Sequence, residues 1–245
     1  MAAVAPQIVD PETTSVLLTS TVKYDSKSTT KSAETLKSNV TTAITNYNIN
    51  TLQKFDAIYR HSKVTGIIDD TDTSILSNVT TIKIRKNFTP TIASSTKYDI
   101  YFRNGLFNPH SEHNKALGGI LSSTGFKVTG SDYEQFLDDD GAGNVRRYYL
   151  ASGIRTYSNA TQGTIDYSTG QITLNSLDVA SISNIRGVSS IVVELTVIPD
   201  SNDVVPVRDQ IVELDISNST INVTADTFVG GSADAGVGYS TTSSY

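Results

Sequence analysis

Two hydrophobic rhythms divide this chain. Up to residue 86 a strand period of two brackets a helical period of three and four, and beyond it the period stays near two. Val16, Leu18, Val22 and Tyr24 fall on one face of a strand predicted at about 15–24, with Leu17, Thr19, Thr21 and Lys23 on the other. Between about 31 and 47, Ala33, Leu36, Val40, Ile44 and Tyr47 recur at three- and four-residue steps, the single apolar stripe of a helix. Thr30 is its predicted N-cap, and Glu34 lies in the first turn, where the helix dipole favours a carboxylate. Shorter helical pieces are predicted at 52–61 and 63–69, burying Phe55, Ile58, Tyr59, Val64, Ile67 and Ile68. Alternation returns at 78–86, with Ile82 and Ile84 inward and Lys83 and Arg85 outward. Strand, helix, helix, strand makes a small α+β unit whose helices cover one sheet face.

After residue 87, Tyr98, Ile100 and Phe102 alternate against Asp99, Tyr101 and Arg103. Strand-like runs recur at 124–129, 145–157, 163–167, 171–175, 190–198, 211–216 and 220–224. GTIDYSTGQITL at 163–174 reads as a hairpin, because Gly170 can take positive φ between two β-favouring runs. Many short strands with Gly, Asn and Asp between them predict a sandwich-like or irregular-barrel β-rich domain. The expected fold class is therefore α+β, with an extended lead-in at 1–12 (Pro6 and Pro11 disfavour regular pairing), an α+β assembly domain at 13–86 and a β-rich domain at 87–226. Residues 227–245, rich in Gly, Ser, Ala and Thr, have little to bury and are expected to form a flexible tail.

Composition sharpens this picture. Of 245 residues, 38% are hydrophobic and only 18% charged, so Thr, Ser and Asn make an unusually uncharged polar surface. A net charge of −6 argues against a general nucleic-acid binder, which needs a basic face to release phosphate counterions. The absence of Cys removes disulfides and thiolate metal sites. MAAVAPQIVDPE lacks a basic start before an apolar run, so no signal peptide is expected. No run of about 18 apolar residues offers a membrane span, and a soluble product made in a cytoplasm is expected. The Asn-x-Ser/Thr sequons at Asn39, Asn78, Asn159, Asn218 and Asn222 are then read as products of a Thr-rich composition.

Candidate chemistry is sparse. His110 and His113 form an H-x-x-H pair beside Pro109, but a catalytic zinc takes about three protein ligands and no third can be named. His61 reads as a helix-face or interface residue. Asp138, Asp139 and Asp140 run into Gly141, Ala142, Gly143 and Asn144 like a calcium loop. Aligning Gly141 with the EF-hand glycine puts Phe136 and Arg147 where the first and last carboxylates belong, so a flexible turn with exposed carboxylates is expected instead. Asp69, Asp70 and Asp72 suggest paired carboxylates, yet no nucleophile or shaped glycine motif joins them, and capping of the next segment is the expected role. Gly118-Gly119 and Gly230-Gly231 read as turns. Arg146, Arg147, Tyr148 and Tyr149 could stack on nucleic acid, but on a strand the two arginines point to opposite faces and cannot share a patch. An interface role suits Arg and Tyr better. No catalytic, cofactor-binding or metal residue is assigned, and no cofactor is expected.

The segment FDAIYRHSKVTGIIDDTDTSILSNVTTIKIRK at 55–86 resembles the baseplate wedge subunit of contractile-tailed phages, in the broader baseplate J-like family. Residues 9–55, 163–174 and 208–216 are similar to the same family. The resemblance implies a non-enzymatic, ring-forming scaffold in the virion's tail baseplate, assembled in the host cytoplasm. Its implied partners are a second copy of itself and other baseplate wedge and hub proteins, with no nucleic acid, membrane or small-molecule substrate. Wedge proteins of this type are longer, and the resemblance places this chain at their C-terminal third, without the N-terminal helical portion that clamps other wedge components. Two other classes stay open on the residues alone. One is a carbohydrate- or receptor-binding β-module, suggested by Tyr residues among Thr/Asn-rich strands. The other is a hydrolase, which would need His61, His110 or His113 to converge with groups distant in sequence.

Overall fold

A computed structural model describes residues 12–113, 118–207 and 210–226. The expected lead-in at 1–12, apart from Glu12, and the expected tail at 227–245 lie outside the described residues. The first strand, β1 (Glu12–Tyr24), buries Val16, Leu18, Ser20, Val22 and Tyr24 and turns the alternate residues outward. Thr14 and Ser20 are polar members of this buried row, and the Ser20 hydroxyl meets Thr80 Oγ1 at 2.9 Å. Helix α1 (Ala33–Tyr47) lays Leu36, Val40 and Ile44 on that face. Its N-cap is Ser32, not Thr30, because Ser32 is the extended residue whose hydroxyl accepts from Thr35 N–H at 3.2 Å.

The helix ends in a widened turn, Asn48–Leu52, held by a buried Asn48. Asn48 donates to Leu214 O at 3.1 Å and accepts from Leu214 N–H at 2.8 Å, so its amide acts as an added strand partner. No second helix begins at 52. Tyr59 is fully buried and exchanges two backbone bonds of 3.0 Å with Val204, which fixes the segment as an extended bridge. Phe55, expected in the core, is 60% exposed. Helix α2 (His61–Asp69) then buries Val64 and Ile68 before β2 (Ile75–Phe88). Ile82 and Ile84 point inward as expected, but Arg85 is also buried, through ion pairs described below.

The remaining strands are β3 (Thr96–Tyr101), β4 (Ser122–Ser123), β5 (Phe126–Val128), β6 (Gln135–Asp139), β7 (Asn144–Ala151), β8 (Ile154–Asp166), β9 (Gln171–Leu177), β10 (Val179–Ile182), β11 (Val193–Val197), β12 (Gln210–Leu214) and β13 (Thr220–Ala225). They complete two sheets, and the fold is α+β. The first runs β12-β1-β2-β11-β4, with β13 also paired to β1. The second runs β10-β5-β6-β7-β8-β9-β3 and is antiparallel throughout. The first sheet therefore draws strands from both sides of residue 86: β12 and β13 lie parallel along β1. One apolar core joins Val16, Ile44 and Ile84 with Phe126, Leu137 and Ile172 of the second sheet.

The β8–β9 hairpin turns where expected, with Asp166 opposite Gln171 and Gly170 at φ 70°. Its Asp166 carboxylate accepts from Ser168 N–H at 2.9 Å and from the Ser168 and Thr169 hydroxyls at 2.7 Å. These donors, Ser168 foremost, hold the carboxyl down to about 2, against an ordinary 3.8.

Candidate interaction surfaces

The histidines occupy two regions. His61 opens α2, and its backbone N–H donates to Asp203 Oδ1 at 2.9 Å. His110 and His113 stand exposed in the loop after β3, with His113 Nδ1 3.0 Å from His110 Nε2. Asp72 accepts from Ser74 N–H at 3.0 Å and from its hydroxyl at 2.6 Å, shaping the turn into β2. Lys31, paired with it, holds its carboxyl well below the usual carboxylate range, with Ser74 helping. Asp69, at the end of α2, accepts from Asn78 Nδ2 at 2.7 Å. Among the described residues no three His, Asp or Glu side chains group as a metal site. No described helix is long and apolar enough to cross a membrane.

The acidic run is not an exposed turn. Asp138 and Asp139 belong to β6 and are buried, which hydrophobic alternation could not reveal because donors from distant segments replace water around them. Asp139 Oδ1 accepts from the Ile120 and Leu121 backbone N–H groups at 2.6 and 2.7 Å. Its Oδ2 accepts from Tyr167 O–H at 2.6 Å and Gly141 N–H at 3.2 Å. Burial, then the Asp139 carboxylate, pushes the Tyr167 hydroxyl far above its ordinary value of 10.0. Gly119 makes this approach possible: its φ is +74°, and a Cβ there would lie 1.9 Å from Asp139 Oδ1. One carboxylate thus ties the segment leading into β4, in the first sheet, to β6 and the β8–β9 turn of the second.

Asp138 points to the opposite face of β6. Its oxygens accept from Arg146 Nε, Arg155 Nη1 and Tyr157 O–H, each at 2.9 Å. Burial moves its carboxyl up from 3.8, against the pull of Arg146 and Tyr157. Arg146 lies over the Tyr157 ring at 4.3 Å, and Arg155 over the Tyr148 ring at 4.7 Å. Phe136 stacks on Tyr148 at 5.6 Å between centroids. Arg146 and Arg147 do face opposite ways, but a shared basic patch forms all the same, because Arg155 arrives from β8. The signal lay in the turn: Leu150 opposite Arg155 and Ala151 opposite Ile154 fold β8 back along β7. On the other face Tyr133 stacks on Tyr149 at 4.5 Å, and Arg147 donates to Ser158 Oγ at 3.2 Å.

A second charged row crosses the outer face of the first sheet. Arg85 pairs with Asp215 and, at 3.5 Å, with Glu194, which Arg186 also grips at 3.0 Å. Lys86, the next residue and so on the core-facing side with Ile82 and Ile84, is buried and pairs with Glu12, whose other oxygen accepts from Gln210 Nε2 at 2.8 Å. These pairs link β1, β2, β11 and β12 side by side. They neutralise buried charge.

The region that carries α1 and α2 has a known counterpart. Residues 14–87 match the family model of the baseplate structural protein gp6, C-terminal domain III. The matched region is under a third of the chain and coincides with β1, α1, α2 and β2. It supports a structural role in a phage baseplate, in the tail of the virion. The match is to gp6 and not to the J-like grouping named by the sequence resemblance. No curated protein matches the chain.

Proposed function

We propose that this chain is a structural subunit of a phage tail baseplate wedge, which helps join wedges into a ring around the tail hub. It acts by binding, through self-association and contacts with other wedge and hub proteins, and makes or breaks no bond. It assembles in the host cytoplasm before entering the tail. The observation that carries this reading is the gp6 domain match over the complete strand–helix–helix–strand unit. The low charge of the surface agrees with it, because interface cores are depleted in charged residues. The assembly unit expected at 13–86 is completed by β11, β12 and β13, so the whole chain is the partner to test.

Co-expression with the wedge and hub proteins of the same phage, followed by affinity capture on this chain and light scattering of the product, tests the proposal. A stoichiometric complex with at least one of those proteins is the expected result. A chain that stays monomeric and captures none of them would overturn it.

A further inference from the structure

We propose that His110 and His113 form a binding site for one square-planar divalent cation, Cu2+ foremost, on the loop after β3. The two residues are the first and last of a β-turn: His113 N–H donates to His110 O at 3.1 Å, and Glu112 between them takes a φ of 66°. Such a turn brings its end residues within about 7 Å, so the H-x-x-H pair converges without a helix. The turn is anchored from outside. Glu112 N–H donates to Gly141 O at 2.9 Å, and the Asn108 amide reaches the same carbonyl at 3.4 Å. A left-handed Glu is strained, and residues of that kind persist where their surroundings fix them.

Hydrogen bonding sets the ring nitrogens up for a metal. His110 Nδ1 stands 3.1 Å from Ser111 O, and a carbonyl only accepts, so Nδ1 carries the proton and the neutral ring leaves Nε2 bare. A backbone carbonyl on the far nitrogen is a usual support of a metal-binding imidazole. His113 Nδ1 lies 3.0 Å from that bare Nε2, with the rings 82° apart. Without metal, a proton on His113 Nδ1 closes this gap as a hydrogen bond. With metal, the proton moves to His113 Nε2 and both bare nitrogens turn to one cation. Both rings are exposed and χ2 of His is a broad torsion, so the rotation meets little resistance.

The spacing selects the metal. Two nitrogens 3.0 Å apart, each about 2.0–2.1 Å from one ion, subtend an angle of about 90–95° at it. That angle suits neighbouring corners of a square, the preference of Cu2+ and Ni2+, whereas a tetrahedral zinc holds its nitrogens about 3.4 Å apart. Cu2+ also binds nitrogen ligands more tightly than Ni2+ or Zn2+ does. The rings face solvent, so water fills the other corners. With two protein ligands the pair falls short of a catalytic zinc site, and the inference is one of binding alone.

Titration of the full, tag-free chain with CuCl2 alone tests this, with H110A, H113A and H61A as variants. Wild type should bind one Cu2+, and its electron paramagnetic resonance spectrum should show coupling to two nitrogens. H110A and H113A should each weaken binding by about tenfold or more and leave one coupled nitrogen, while H61A matches wild type. ZnCl2 should bind wild type about tenfold or more less tightly than CuCl2. Nuclear magnetic resonance of the wild type reads the same site without a variant: a trace of Cu2+ should broaden the His110 and His113 ring signals before that of His61. Absence of copper binding, copper binding that H110A and H113A leave unchanged, or broadening that begins elsewhere overturns the site. Zinc that binds as tightly as copper overturns the square-planar assignment.

Discussion

Replacing Asp139 with Asn tests whether one carboxylate ties the two sheets together. Four donors converge on its two oxygens at 2.6–3.2 Å. An Asn has one oxygen. If that oxygen keeps the Ile120 and Leu121 amides, the new NH2 faces the Gly141 N–H, donor against donor. Tyr167 can rotate to accept from the NH2, but its own proton then loses an ionised partner. Hydrogen bonds to charged groups contribute about 1.5–3 kcal/mol each, and an orphaned buried donor costs about 1–3 kcal/mol. Relief from burying the charge offsets part of this, leaving an expected loss of about 3 kcal/mol. For a chain of this size that lowers Tm by about 6–12 °C. Urea denaturation followed by circular dichroism should show a lower midpoint with the same slope. Y167F alone should cost about 1.5–3 kcal/mol, and the double variant should fall short of the sum because both remove the same bond. A D139N protein within about 0.5 kcal/mol of wild type, or strict additivity with Y167F, would refute the account.

Three further outcomes follow from the same structure. Ile44→Ala, which empties the fully buried contact of α1 on the first sheet, should cost about 2–5 kcal/mol in the same denaturation assay. Arg85→Ala leaves Glu194 and Asp215 facing each other without their shared cation and should cost about 3–5 kcal/mol; the loss should shrink if Asp215 is replaced by Asn in the same chain. The Asp166 carboxyl titrates lower in the folded protein, at about 2, than its ordinary 3.8, so its stabilising contribution is present above pH 3.8 and disappears as pH falls through 2. The stability difference between wild type and D166N should therefore narrow over that window, as measured by urea midpoints at successive pH values.

Local period was enough to read β1, α1, α2 and β2, because each of these buries one apolar face in the shared core. It failed where distant partners decide. β6 is invisible to a hydrophobic pattern because Asp138 and Asp139 are buried on its two opposite faces, made habitable by Arg146 and Arg155 on one and the amides of residues 120 and 121 on the other. Arg85 does face outward as expected, but its burial there was illegible, since the carboxylates that cover it lie more than a hundred residues away. At 52–61 the apolar spacing suits a helix, but Tyr59 gains two backbone bonds to Val204 that a helix would forbid. The strand-like run expected at 145–157 becomes two strands, β7 and β8, because Ser152 and Gly153 take positive φ and turn the chain back on itself.

The strands that flank β1 come from the far end of the chain. A nascent polypeptide emerging from the ribosome has the whole gp6-like segment available early, yet its opening strand gains neither parallel neighbour until residues 210–225 have been made. Pairings across such separations close slowly, because the loop entropy is lost before any contact rewards it. Synthesis therefore acts as a timer: a subunit cut short before residue 210 reaches the assembly line with an open sheet edge, and the complete one arrives already sealed there.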